Sequence, residues 1–322
     1  MSFNENSQID TSQVTVEAPG SDGRLGGLGR LGGLGRLGGL GGIGGKGMGI
    51  GGTILTIIIM IVLSQFGGGL SNLGSSLNTG SISHQGQSAT QDISQRCKTG
   101  ADANKDVLCR VTETVNSLNN YWTKAIAAEG VTYIQPGVDI FSGSTQSPCG
   151  EASSATGPFY CPNDQKVYLD TGFYDELTSR FGSSGGPLAQ EYVLAHEFGH
   201  HIQNLTGVFD QANRSGTGAT SDSVRVELMA DCLAGMWARG AVNTVDKYGN
   251  TLMPPLTQQD VNDALSAASA VGDDRIQQAA TGSVNPDSWT HGSSAQRQNW
   301  FSIGYNTGDY NACVKTLDTT AL

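Results

Sequence analysis

The sequence predicts a helix-rich α+β body with a small sheet, preceded by one transmembrane helix. Three observations carry this expectation. Apolar residues recur at helical spacing over long stretches beyond residue 100, short β-branched runs lie between those stretches, and residues 48–66 are apolar and free of charge.

Taken in order, residues 1–46 read as a flexible Gly-rich cytoplasmic tail. Residues 24–41 repeat Arg-Leu-Gly-Gly-Leu-Gly three times, and glycine at half the positions leaves neither a stable helix nor enough apolar surface for a core. Residues 47–66 read as the transmembrane helix: Ile54 to Leu63 show no polar stripe, and no charge occurs between Lys46 and Asp92. A buried core helix or a cleaved signal peptide would be the alternatives. The preceding segment is longer than a signal peptide's n-region, and no A-x-A-like site follows. Arg24, Arg30, Arg36 and Lys46 all precede the apolar stretch, so the positive-inside rule puts the N-terminus in the cytoplasm and the body outside. Residues 67–91, rich in Gly, Ser, Asn and Gln, read as a stalk, and 92–322 as the body.

Four acids and four bases balance within residues 1–46, so the whole net charge of −11 belongs to the rest of the chain. An acidic body repels phosphate backbones, which excludes nucleic acid as the expected partner. All six cysteines (Cys97, Cys109, Cys149, Cys161, Cys232 and Cys313) lie beyond the apolar stretch. An even number placed only there points to disulfides in an oxidising compartment. Six cysteines allow 15 connectivities. Spacing favours Cys97–Cys109 and Cys149–Cys161, which leaves Cys232 for Cys313.

Within the body, Leu108, Val111, Val115, Leu118, Trp122 and Ile126 mark a helix from Asp106 to Ala128 that Gly130 stops. Val131–Ile134 and Lys166–Leu169 read as short strands, with a Gly/Ser/Pro-rich loop between them. Helices are expected from Leu188 to about Thr206 and from about Val224 to Arg239. Another is expected from the capping-box sequence Ser293-Ser294-Ala295-Gln296 to near Gly308.

The chemistry centres on His196-Glu197-Phe198-Gly199-His200, an H-E-x-x-H. On a helix, His196 and His200 share a face and can grip one metal ion, with Glu197 placed to take a proton from water. The apolar flanks Val193, Leu194, Ala195, Phe198 and Ile202 imply that this helix is buried, where two histidines and a glutamate without partners would be costly. A catalytic zinc site needs a third protein ligand and an open position. The solution with a third histidine fails, because its positions hold Gln203 and Thr206. A glutamate on a later helix is the other solution. Glu227 and Asp231 stand at i and i+4, so Glu227 can reach the metal while Asp231 holds the free nitrogen of a ligand histidine. Ala230, Ala234 and Gly235 keep that helix slim.

These roles describe zinc-assisted hydrolysis of a peptide bond, with Glu197 as general base. His291, at the start of the last long helix, is a candidate oxyanion donor or else a structural histidine. His201, offset by about 100° from His200, is expected to bond elsewhere. The strand around Lys166–Leu169 is a candidate edge for a substrate main chain. Two other readings share the site: a zinc-stabilised scaffold or binding protein without turnover, and an amidase acting on cell-wall peptides.

With these residues in view, the body resembles the bacterial neutral zinc metallopeptidases, membrane-anchored proteins with one exported domain. The landmarks are Cys149-Gly150, Gly157-Pro158-Phe159-Tyr160-Cys161-Pro162, Val167-Tyr168-Leu169-Asp170, His196 to Gln203, Glu227 to Gly235, His291-Gly292-Ser293-Ser294 and Gln296-Arg297. They span most of the chain from about residue 95 to 315; the Arg-Leu-Gly-Gly-Leu-Gly tail lies outside. The resemblance implies a zincin-like fold, zinc (Zn2+) held by His196, His200 and Glu227, Glu197 as base, and a functional His291. It also implies a peptide or protein substrate outside the cytoplasmic membrane. The oligomeric state stays open.

Overall fold

Four long helices frame the body in a computed structural model that describes residues 2–18, 90–153, 156–319 and 322. Helix α1 (Val107–Ala125) starts at Asp106, whose carboxylate accepts from the Leu108 and Cys109 amides, and it buries the stripe Val111, Val115, Leu118 and Trp122. Gly130, at φ +78°, follows a short 3-10 turn and ends the segment. A shorter helix α2 (Phe173–Ser179) precedes α3 (Pro187–Leu205), which carries the H-E-x-x-H and opens on a proline in its first turn. Helix α4 (Asp222–Gly240) is capped by Ser221 and carries Glu227 and Asp231. Helices α5 (Gln258–Ala270) and α6 (Asp273–Thr281) come next, neither of them anticipated from the sequence. Helix α7 (Ser294–Thr307) begins on the expected capping box of Ser293 and Gln296 and stops at Gly308.

Helix α4 lies between α3 and α7, and small residues let it approach both. A Cβ at Gly199 would sit 2.9 Å from the Ala230 carbonyl oxygen. One at Gly235 would sit 2.1 Å from the Phe301 carbonyl oxygen, and one at Gly304 would sit 1.8 Å from that of Cys232. No side chain larger than glycine fits at these crossings. Their closeness is what carries the α4 carboxylates up to the α3 histidines.

The sheet runs β1 (Thr15–Val16), β2 (Gly137–Phe141), β6 (Lys166–Asp170), β5 (Phe159–Cys161), with β1, β2 and β6 parallel and β5 antiparallel. A separate hairpin joins β3 (Ser144–Ser147) to β4 (Gly150–Ser153). Two expectations are corrected here. The strand placed at Val131–Ile134 begins instead at Gly137: Pro136 has no N–H to offer a ladder, and Ile134 is left exposed. The Lys166–Leu169 strand is also no edge for a substrate, because β2 and β5 already occupy both its sides.

Disulfides join Cys97 to Cys109, Cys149 to Cys161 and Cys232 to Cys313, the connectivity that spacing favours. The last ties α4 to the short helix Tyr310–Val314 across 81 residues of sequence.

The largest departure from expectation is at the N-terminus. Residues 2–18 fall within the stretch expected to be flexible, yet they lie against the body as a strap. Phe3 and Ser7 are buried, and β1 extends the sheet. Asn104 clasps the backbone of Phe3, accepting from its N–H (2.7 Å) and donating to its carbonyl (2.9 Å). Asn116 does the same for Asp10 (2.8 and 3.0 Å). Backbone amides that a flexible tail would leave to water are thus paired with the body.

Among the described residues no helix is long and apolar enough to cross a membrane. The stretch 47–66, the Arg-Leu-Gly-Gly-Leu-Gly repeats and residues 67–89 of the expected stalk lie outside the described residues.

Candidate metal centre

Helix α3 presents His196 and His200 one turn apart, and α4 presents Glu227 opposite them. The Nε2 of His196 lies 3.1 Å from Glu227 Oε2, and the Nε2 of His200 lies 3.4 Å from Glu227 Oε1. All three side chains are buried, and their nearest ligand atoms lie within 4.8 Å of one another, a group that could hold one metal ion.

The outer nitrogens fix what the inner ones can do. His196 Nδ1 is 2.8 Å from Asp231 Oδ1, an acceptor. That carboxylate also takes two hydrogen bonds from Arg297 (Nε at 2.8 Å, Nη2 at 2.9 Å) and one from the Tyr192 hydroxyl. His200 Nδ1 is 2.8 Å from Gln203 Oε1, and the Gln203 amide nitrogen donates to the Val226 carbonyl at 2.6 Å. A carbonyl only accepts, so the Gln203 oxygen must face His200 and take its Nδ1 proton. In the neutral tautomers both Nε2 lone pairs therefore face Glu227, whose carboxylate is also an acceptor. Two lone pairs and an anion converging on one point suit a cation there, and His2Glu is a zinc donor set.

The electrostatics agree. Burial pushes Glu227 upward, but His200 and His196 outweigh it and hold the carboxyl well below the usual carboxylate range. Burial pushes His196 downward, yet Asp231 and Glu227 reverse this and raise it to about 9. A proton at His196 answers the same negative field that a metal ion would. Burial also raises Asp231, which Arg297 and His196 overcome, so it stays ionised.

Glu197 follows His196 on α3. Its Oε2 is buried without a hydrogen-bond partner among the described residues, and burial raises its pKa. Across the same pocket His291 is held by its Nδ1, 2.9 Å from Thr290 Oγ1 and 3.3 Å from Asp273 Oδ1, while its Nε2 has no partner among the described residues. Asp273 in turn accepts from the Thr290, His291 and Gly292 amides through Oδ2 (2.8, 2.8 and 3.2 Å). A carboxylate oxygen and an imidazole nitrogen, both buried and unused, border one cavity together with Gly157, Pro158, Tyr192 and Val193. Such atoms are costly to leave unpaired.

The structure thus brings together His196, His200, Glu227, Glu197, Asp231 and His291. His201 stays apart, bonded to the Ile134 carbonyl and the Tyr160 hydroxyl, and burial lowers it to about 4. Sequence reasoning gave no role to Tyr192, Gln203, Arg297 or Asp273. Tyr192 and Gln203 stand at i−4 from His196 and i+3 from His200, a same-face signal that was available.

Comparison with known proteins agrees with this geometry. Residues 30–316 match the sequence model of the family described as "Putative neutral zinc metallopeptidase". The chain belongs to this family. An uncharacterized protein of Mycobacterium tuberculosis is 53% identical over 224 residues, 69% of this chain and 74% of that protein. The uncharacterized protein YpfJ of Escherichia coli is 38% identical over 271 residues, 82% of this chain and 86% of that protein. No solved structure matches the chain.

Proposed function

We propose that this member of the family is a working peptidase that holds zinc through His196, His200 and Glu227 and hydrolyses peptide bonds in an oxidising compartment. The observation that carries the reading is the convergence of two imidazole lone pairs and a carboxylate beside an unused glutamate oxygen. Zinc bound there supplies Lewis acidity, polarising a carbonyl and acidifying water. Glu197 accepts the proton of the attacking water and passes it to the leaving amine, a role that suits a carboxyl raised by burial. Thr290 Oγ1 can donate to His291 Nδ1, which leaves an Nε2–H to stabilise the oxyanion. Asp231 and Gln203 keep the two ligand rings in orientation. The three disulfides support a location outside the reducing cytosol, and the uncharged stretch 48–66 supports attachment to a membrane.

The test uses the full chain in detergent, its bound zinc, and digestion of an unfolded protein beside Glu197→Gln. One zinc per chain in both proteins, with cleavage lost only in the variant, is the expected result. Equal behaviour of the two proteins would remove Glu197 as base and favour a binding role for the site.

A further inference from the structure

We propose that the cavity beside Glu197 is a subsite for a bulky apolar side chain on a residue flanking the scissile bond, an inference that rests on the peptidase reading above. Its wall away from the metal ligands is built by Phe173 on α2, Phe181 just beyond it, Val193 on α3, Val271 after α5 and Ile276 on α6. Three helices and two adjoining loop positions converge to make one apolar surface, with the Phe173 and Phe181 rings 6.4 Å apart between centroids. The ionisable groups that border the cavity, Tyr192, His196, Glu197, His291 and Arg297, are those of the site already described. Glu197 and His291 are the reacting pair, and Arg297 is committed to Asp231, the Tyr192 hydroxyl and the Val271 carbonyl. A charged substrate side chain would lose its water there and meet no counter-charge, whereas an apolar one gains by burial. The same pocket therefore binds and sorts, placing the peptide so that its scissile carbonyl falls beside Glu197 Oε2.

The experiment is cleavage-site mapping on a random peptide library with the zinc-loaded full chain. The expected result is enrichment of Leu, Ile, Met or Phe at one position flanking the cut, with Asp or Lys there slowing cleavage roughly 100-fold. Ile276→Phe, apolar but larger, shifts the preference toward Val and Ala by about 10-fold or more. Calorimetric binding of the same peptides to Glu197→Gln gives the same ranking without turnover. Cleavage with no preference at either flanking position overturns the subsite and leaves the peptidase intact. Absence of cleavage of every peptide by zinc-loaded protein overturns the peptidase reading and the subsite with it.

A separate observation carries a second inference. We infer that the N-terminal segment and the body lie on the same side of the membrane. Residues 2–18 are built into the body: β1 pairs with β2, Asn104 and Asn116 each clasp a strap backbone unit, and Ser7 Oγ donates to the buried Glu113 at 2.6 Å. A chain that crossed a bilayer once between residues 18 and 90 would separate strap from body. The docking argues against that arrangement, and so against a cytoplasmic N-terminus beneath an exported body.

Single reporters Glu5→Cys and Tyr248→Cys, both at exposed positions, test this in cells making the full chain. The six native cysteines are all paired and do not compete. A membrane-impermeant maleimide is expected to label both reporters in intact cells. Labelling of one with protection of the other until lysis would overturn the inference.

Discussion

Two carboxylate–histidine pairs border the same pocket, and they end differently. In Asp231–His196 the far ring nitrogen meets Glu227 and shares a point with His200. In Asp273–His291 the far nitrogen meets no partner among the described residues. Both rings have a carboxylate beside Nδ1, but under the proposed function their protons sit differently. Asp231 takes the Nδ1 proton of His196 and leaves Nε2 a lone pair for the metal, whereas Thr290 can donate to the Nδ1 of His291 and leave an Nε2–H toward the cavity. The anchoring differs in kind as well. Asp231 is fixed by side chains, Arg297 and Tyr192, whereas Asp273 is fixed by three backbone amides of the turn that carries His291. One pair is positioned by helix packing and the other by its own loop.

That contrast can be broken at either end. The largest effect is expected from Glu227→Ala, which removes the third acceptor: zinc is lost, and cleavage falls to background in a parallel measurement of metal content and rate. His291→Ala is expected to keep its zinc and lose roughly 10²–10³ in kcat, the cost of one oxyanion donor. Zinc loss in that variant would make His291 part of the metal centre and erase the distinction. Next comes Asp231→Asn, for which zinc titration should show affinity weaker by about 10–100-fold. If its metal affinity is unchanged and only kcat falls, the two pairs do the same job.

The sequence made one of these pairs legible and hid the other. His196, His200, Glu227 and Asp231 follow the i, i+4 rule on two helices whose caps and apolar stripes are plain, so their faces could be assigned. Asp273 opens α6, 18 residues before His291, with the rest of that helix and an irregular segment between, and no periodicity links them. Gln203 was read only as the residue that breaks a three-histidine pattern; its role needs the Val226 carbonyl, which tertiary packing supplies. The strap was invisible for a related reason. Phe3, Ser7 and Val16 show no period, and the groups that receive them sit around Asn104, on α1 and on β2, far along the chain. The Val131–Ile134 strand failed by a local cause, Pro136, that could have been weighed.

A third buried carboxyl lies outside both pairs and sharpens what they have in common. Glu191, on α3 five residues before His196, is buried with neither oxygen hydrogen-bonded among the described residues, and burial raises it to about 8. Asp231 and Asp273 stay ionised because partners offset desolvation; Glu191 has Arg110 near it but no such bonds, so it folds best as the neutral acid. Its folded pKa lies above the unfolded value, so the folded chain binds a proton that the unfolded chain has released. Stability from this group is therefore full below about pH 4.5, falls as pH rises, and is gone once pH passes about 8. Glu191→Gln keeps the shape without the charge. It should match wild type at pH 5 and exceed it at pH 8.5 by on the order of 3 kcal/mol, read as a Tm gain of about 2–4 °C per kcal/mol. An equal Tm difference at both pH values would mean that Glu191 is ionised and paired in solution, as the other two are.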